Sequence, residues 1–184
     1  MKLPEKAKKV FTWIIYNVYH WEQELFDWST ATFEMLKRNF TIDVLPIWED
    51  GMIYVSNERQ PWRPPFLTFV WWCSEDWEVP LETAKRELME EMWLYSDEFE
   101  LFTVYNNTWK IDYDQYFYIA RNCKQAWTQK LDAWEDIKIS KVDWKWFLDT
   151  VADPRFRLKE FALDVFRQIY SWKEEEFKNI IYWK

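Results

Sequence analysis

The sequence predicts an α/β fold, a mixed sheet sandwiched between helices (α/β/α) and preceded by an antiparallel strand extension. Three observations predict it. Short segments rich in β-branched and aromatic residues, separated by turn residues, run from Val10 to Val55. An apolar strand, a turn-rich stretch and one amphipathic helix follow between Phe66 and Met92. Further strands and a helical C-terminal region complete the alternation.

The 184 residues suit one core with a small appendage, residues 1–40 forming the strand extension and residues 41–184 the main domain. Met1 to Lys9 is basic and polar, and the apolar run Val10 to Tyr19 is broken by Thr12 and Asn17. Neither a signal peptide nor a membrane span is expected from that pattern. His20 reads as a surface residue in a turn between strands. Asp50-Gly51, between Val44-Leu45-Pro46-Ile47 and Met52-Ile53-Tyr54-Val55, is a hairpin turn. Asn57 to Pro65, polar and proline-containing, reads as a loop carrying Arg59 and Arg63; Phe66 to Val70 is a short strand entering a second loop, Trp71 to Val79. Pro80 suits a first helical turn, where its missing N–H costs nothing, and Leu81, Ala84, Leu88 and Met92 form one apolar stripe. Strands at Glu100 to Tyr105 and Tyr116 to Arg121 flank a loop holding Asp112 and Asp114, and another strand lies near Ile137 to Val142. A short helix, Trp146 to Val151, precedes a longer one from Arg155 to about Phe177, with Glu174-Glu175-Glu176 as a solvated face.

Composition excludes several functions. A formal charge of −8 with no Lys/Arg cluster argues against a nucleic-acid duplex as partner. One His and two Cys cannot build a Cys2His2 zinc site, and a Ser-His-Asp triad would have to use His20. Cys73 and Cys123 give no disulfide framework, so a reducing cytoplasm is the expected compartment.

One pair of counts is abnormal: Gly 1 against Trp 16, where ordinary usage gives roughly 13 glycines. Several tryptophans stand among turn-forming neighbours, as in Asp27-Trp28-Ser29, Asp76-Trp77-Glu78, Thr108-Trp109-Lys110, Ala126-Trp127-Thr128 and Ser171-Trp172-Lys173. These are glycine settings. The pattern fits a gene whose UGA codons specify glycine and are read here as tryptophan. A Trp-rich sugar- or lipid-contacting face would instead place its indoles at period 2 or 3.6, and no such period is present. The same reading predicts that the tryptophan-bearing chain, if made, folds poorly or is inactive.

The chemistry concentrates between positions 72 and 94: Trp-Cys-Ser-Glu-Asp-Trp-Glu-Val-Pro-Leu-Glu-Thr-Ala-Lys-Arg-Glu-Leu-Met-Glu-Glu-Met-Trp-Leu. This stretch resembles the Nudix box, G-x5-E-x7-R-E-U-x-E-E-x-G-U with U apolar. Seven of nine defined positions match: Glu78, Arg86, Glu87, Leu88, Glu90, Glu91 and Leu94. The two failures, Trp72 and Trp93, both fall where the box has glycine.

Glu87 and Glu91 are four residues apart with Glu90 beside them, so three carboxylates share one part of a helix surface. Alone they repel one another; a hard divalent cation such as Mg2+ or Mn2+ prefers such oxygen ligands. Glu78 can fold back from the loop toward them, and Arg86 can pair with Glu90 or Glu82. A solvated acidic helix is the competing reading.

The resemblance implies a Nudix α/β/α sandwich and a metal-dependent hydrolase, with metal ligands Glu87, Glu91, Glu90, Glu78 and the backbone carbonyl of Trp71. Arg86 belongs to the implied catalytic set, and the general base is left open among Glu90, Asp112 and Asp114. Arg59, and with it Arg63, would neutralise substrate phosphate. Within the family the chain looks most like the ADP-ribose and ADP-sugar pyrophosphatases. Asn57-Glu58-Arg59-Gln60-Pro61 resembles that branch's Gln-x-Arg segment, and Leu131-Asp132-Ala133-Trp134-Glu135-Asp136-Ile137 its acidic segment. Thr68-Phe69-Val70-Trp71 departs from the branch's Glu-Leu-Pro-Ala. The implied products are a nucleoside monophosphate and a sugar phosphate, and the implied assembly is a homodimer built with the N-terminal strands. A house-cleaning nucleoside triphosphate pyrophosphohydrolase and a non-catalytic nucleotide-binding module are the alternatives.

Overall fold

Alternating side chains produce three N-terminal strands, β1 (Lys8–Thr12), β2 (Asn17–Glu24) and β3 (Thr30–Lys37). They are seen in a computed structural model that describes residues 2–75, 77–106, 110–126 and 136–182. The three pair antiparallel, and a short strand from later in the chain, β10 (Ile111–Asp112), joins β3 in parallel to close a four-stranded sheet. His20 sits inside β2 opposite Glu34, so it belongs to a strand and not to a turn. The run of alternating residues through 17–24 simply continues past it.

The main sheet grows around β4 (Thr41–Trp48), an almost fully buried strand. Gly51, at φ 82, turns it into β5 (Ile53–Gln60), as the Asp50-Gly51 pair predicts. The expected 57–65 loop is instead a hairpin, because β5 runs to Gln60 and β6 (Arg63–Thr68) returns beside it after only Pro61 and Trp62. The ladder tolerates Pro64 and Pro65 on the exposed start of β6. The expected loop from Trp71 is likewise shortened: β7 (Val70–Cys73) pairs antiparallel with β4, placing Trp72 opposite Ile42 and Trp71 opposite Asp43.

Helix α1 (Pro80–Met92) starts at Pro80 as predicted and is followed by β8 (Leu94–Tyr95) and β9 (Glu98–Asn106). Strand β11 (Asp114–Gln125) pairs parallel with β4 and antiparallel with β9, which makes the sheet mixed, and β12 (Asp136–Val142) closes it against β5. Asp143 caps α2 (Trp144–Ala152), its carboxylate accepting from the Trp146 N–H at 2.9 Å. The single long helix expected after Arg155 is two, α3 (Lys159–Tyr170) and α4 (Glu174–Tyr182), broken at Trp172. Trp109, Trp127, Trp134 and the 131–135 part of the expected acidic segment lie outside the described residues.

Two cores flank the sheet. Ile42, Val44, Val70, Tyr118 and Ala120 pack on one face with Ala84, Leu88 and Met92 of α1. Leu45, Ile47, Phe69, Phe117 and Ile119 pack on the other with Phe147, Phe161, Val165, Phe177 and Ile181 of the C-terminal helices. There Phe117 and Phe161 stack with centroids 4.4 Å apart. Both cysteines are free thiols, and burial pushes Cys123 up to about 12, leaving it inert. Among the described residues no helix is long and apolar enough to cross a membrane.

Candidate active site

Helix α1 lays Ala84, Leu88 and Met92 against the sheet, and that anchoring fixes which way its charged residues point. Glu87 and Glu91 fall on the inward side and are each only 3% exposed, while Glu90 stays half-exposed. The side chains of a solvated acidic helix would face water; these two do not.

Arg86 organises the group. Its guanidinium donates to Glu78 at 2.6 Å and to Glu90 at 2.9 Å, and it contacts Glu87 as well. The preceding loop makes this reach possible: Glu75 and Glu78 close a tight turn in which the Glu75 N–H donates to the second Glu78 oxygen at 2.9 Å. Of the two expected partners, Glu90 takes Arg86 and Glu82 pairs with Lys85 instead. Burial works against the Arg86 charge, yet the hydrogen bond to Glu78 and the field of Glu87 and Glu90 outweigh it and raise its pKa.

Charge balance within this cluster is incomplete. Three carboxylates, Glu78, Glu87 and Glu90, share one guanidinium. Burial, only partly countered by Arg86, pushes Glu87 up to about 7, and its buried Oε1 lies against the Arg86 guanidinium. An all-oxygen donor set that includes two buried carboxylates, Glu87 and Glu91, suits a hard divalent cation. Among the described residues no three ligating side chains converge into a ready-made metal cage; Arg86 stands in their midst.

The other predicted residues lie elsewhere. Trp71 is in β7 opposite Asp43, two residues before the strand ends at Cys73. Asp112 and Asp114 flank the β10–β11 step and are engaged by the N-terminal segment: Lys2 donates to Asp114 at 2.7 Å, and the Leu3 N–H donates to Asp112 at 3.1 Å. Arg59 pairs with Asp136 across β5 and β12 at 2.8 Å. Arg63 lies over the Phe66 ring, 3.7 Å from its centroid, and burial together with the nearby Arg157 lowers its pKa.

Two charged assemblies escape the motif. Asp43, fully buried in β4, accepts from Arg157 and, at 2.5 Å, from Gln115. Arg157 in turn lies over the Trp71 ring at 4.4 Å, and the Trp71 indole N–H donates to buried Glu58 at 2.8 Å. A signal for this was available, since Asp43 is a lone charge in the apolar run 41–47. Arg38 lies between the Tyr16 and Tyr113 rings, 5.7 and 5.2 Å from their centroids, where the N-terminal sheet meets the main domain.

The overall shape has a close counterpart. A solved structure described as an ADP compounds hydrolase superposes with a TM-score of 0.72, covering 97% of this chain and 100% of that one at 14% identity. No family model matches the chain, and no curated protein matches it. At that identity the likeness establishes the fold: a Nudix-type α/β fold with mixed sheets and helices.

Proposed function

We propose that this chain hydrolyses the pyrophosphate of a nucleoside diphosphate linked to another group, an ADP-ribose or ADP-sugar being the favoured substrate. The observation that carries the reading is the burial of Glu87 and Glu91 beside an Arg86 shared by Glu78 and Glu90. The fold it shares with an ADP compounds hydrolase supports the choice of substrate class.

Glu87 and Glu91, with Glu90, Glu78 and the Trp71 carbonyl, would hold Mg2+ or Mn2+. When bound, the metal supplies charge neutralisation for the substrate phosphates and a lowered pKa for water. The chain's own residues do the positioning. Arg86 holds Glu78 and Glu90 at fixed distance, so the acidic face is oriented before substrate arrives. Water attacks one phosphorus, the P–O bond to the other phosphate breaks, and nucleoside monophosphate leaves with a sugar phosphate as its co-product. Among the three candidates for the general base, Glu90 stands on the acidic helix beside Glu87, paired with Arg86, whereas Asp112 and Asp114 stand off that helix at the β10–β11 step, bound by Lys2 and the Leu3 N–H. Glu90 is therefore the preferred acceptor of the water proton.

The test is incubation with ADP-ribose and Mg2+, with products separated by ion-pair chromatography. The expected result is AMP and ribose 5-phosphate from the glycine-bearing form of the chain, and a loss of at least about a hundredfold in kcat when Glu91→Gln is made in that form. Saturable nucleotide binding with no AMP released would overturn the enzymatic reading in favour of a binding module. Faster release of pyrophosphate from nucleoside triphosphates would move the substrate class.

A further inference from the structure

The backbone offers an observation that is independent of composition. Five described non-glycine residues have positive φ: Trp28, Trp93, Lys110, Asn122 and Trp172. Tryptophan supplies 16 of 184 residues yet takes three of these five positions. Asn enters the left-handed region readily because its short amide bonds locally; a bulky aromatic residue has no such help.

Each of the three is a place where chains commonly use glycine. Trp28, at φ 67, closes the turn between β2 and β3, with its N–H donating to the Leu25 carbonyl at 3.1 Å. Trp93, at φ 59, ends α1, with its N–H donating to the Met89 carbonyl at 3.2 Å. Trp172, at φ 58, ends α3 in a full Schellman motif: its N–H donates to Ile169 at 3.0 Å, and the Lys173 N–H donates to Gln168 at 2.9 Å. At two of the three, packing does not compensate: Trp28 and Trp172 are 82% and 96% exposed and gain almost nothing from burial where the backbone is strained, whereas Trp93 is 41% exposed.

We infer that positions 28, 93 and 172 are glycine positions, and that the natural product of this gene carries glycine there. UGA codons that the source organism reads as glycine account for both the backbone and the counts. The box follows from the same substitution, because position 93 is one of its two glycines. Trp72 adds nothing to the argument, since it lies in an ordinary strand.

The experiment compares Trp→Gly with Trp→Ala at each site by thermal unfolding, so that its outcome does not depend on whether the protein hydrolyses anything. Both changes remove the indole; only glycine also removes the Cβ that strains a left-handed residue. Glycine should exceed alanine by about 2–4 °C at each of positions 28, 93 and 172. At Trp146, inside α2, the order should reverse, because there alanine favours the helix. Alanine equal to or better than glycine at the three sites would overturn the inference. Should the parent chain prove too unstable to melt cooperatively, mass spectrometry of the protein from its natural source decides. Glycine in the peptides spanning 28, 93 and 172 supports the inference, and tryptophan there ends it.

Discussion

Replacing Glu87 by glutamine should stabilise the metal-free protein while abolishing its response to metal. Burial holds the Glu87 carboxyl near 7 against an ordinary 4.5. A carboxyl raised in the folded state contributes stability below its unfolded pKa, and that contribution is lost as pH rises through the folded one. At pH 7 the loss amounts to about 3 kcal/mol. Glutamine carries no charge to bury, but its amide N–H groups face Arg86 without an acceptor, which costs about 1 kcal/mol. The net gain of about 2 kcal/mol corresponds to a midpoint roughly 4–8 °C higher, measured by calorimetry in chelator at pH 7. Mg2+ at a hundredfold excess over its dissociation constant should add about 2.7 kcal/mol to the parent and almost nothing to Glu87→Gln. A variant less stable than the parent in chelator, or one equally stabilised by Mg2+, would show that Glu87 serves the Arg86 ion pair and not a cation.

Asp43, which alternates in β4 with the Ile42 and Val44 side chains that meet α1, offers a second titration test. Burial, opposed by Arg157 and Gln115, pushes it up to about 6 from 3.8, so the parent should lose about 2 kcal/mol relative to Asp43→Asn between pH 4 and pH 7 in urea titrations. A relative gain over that range would mean that Arg157 dominates. The N-terminal sheet predicts an oligomer: its outer strand and following turn expose Val10, Phe11, Trp13, Ile14 and Ile15, with Ile14 94% accessible. We expect a homodimer by sedimentation velocity and a folded monomer after Phe11→Glu with Ile14→Glu; a parent that sediments as a monomer refutes this.

What the sequence disclosed tracks how local each signal is. Pro80, the stripe through Leu88 and the turn at Gly51 are set by neighbours a few residues away, and all three appear in the structure where they were expected. The 57–65 hairpin was hidden because prolines read as loop, whereas pairing with β5 and a two-residue connection decide it. Arg86 at the centre of the acidic group depends on how the 74–79 loop folds back, which no periodicity encodes. The break between α3 and α4 was hidden for a different reason. A glycine at 172 would have announced a helix stop, but tryptophan at that position reads as one more apolar helical residue.

Burial separates the catalytic reading of α1 from the bland one. Glu-rich helices usually turn their carboxylates to water, and Glu82 on this helix does so. Glu87 and Glu91 are instead sealed against the sheet at the turns that carry Leu88 and Met92. Apolar side chains at those two positions would extend the Ala84–Leu88–Met92 contact and stabilise the domain, because burying ionised groups seldom stabilises a fold. The arrangement therefore opposes stability and cannot be explained by it. Among the described residues Arg86 pairs at once with Glu78, Glu87 and Glu90, so these three carboxylates keep a net negative charge on a Nudix-type fold. A divalent cation is the simplest species that neutralises this charge without adding bulk, and it is also what a pyrophosphate substrate needs for its own neutralisation.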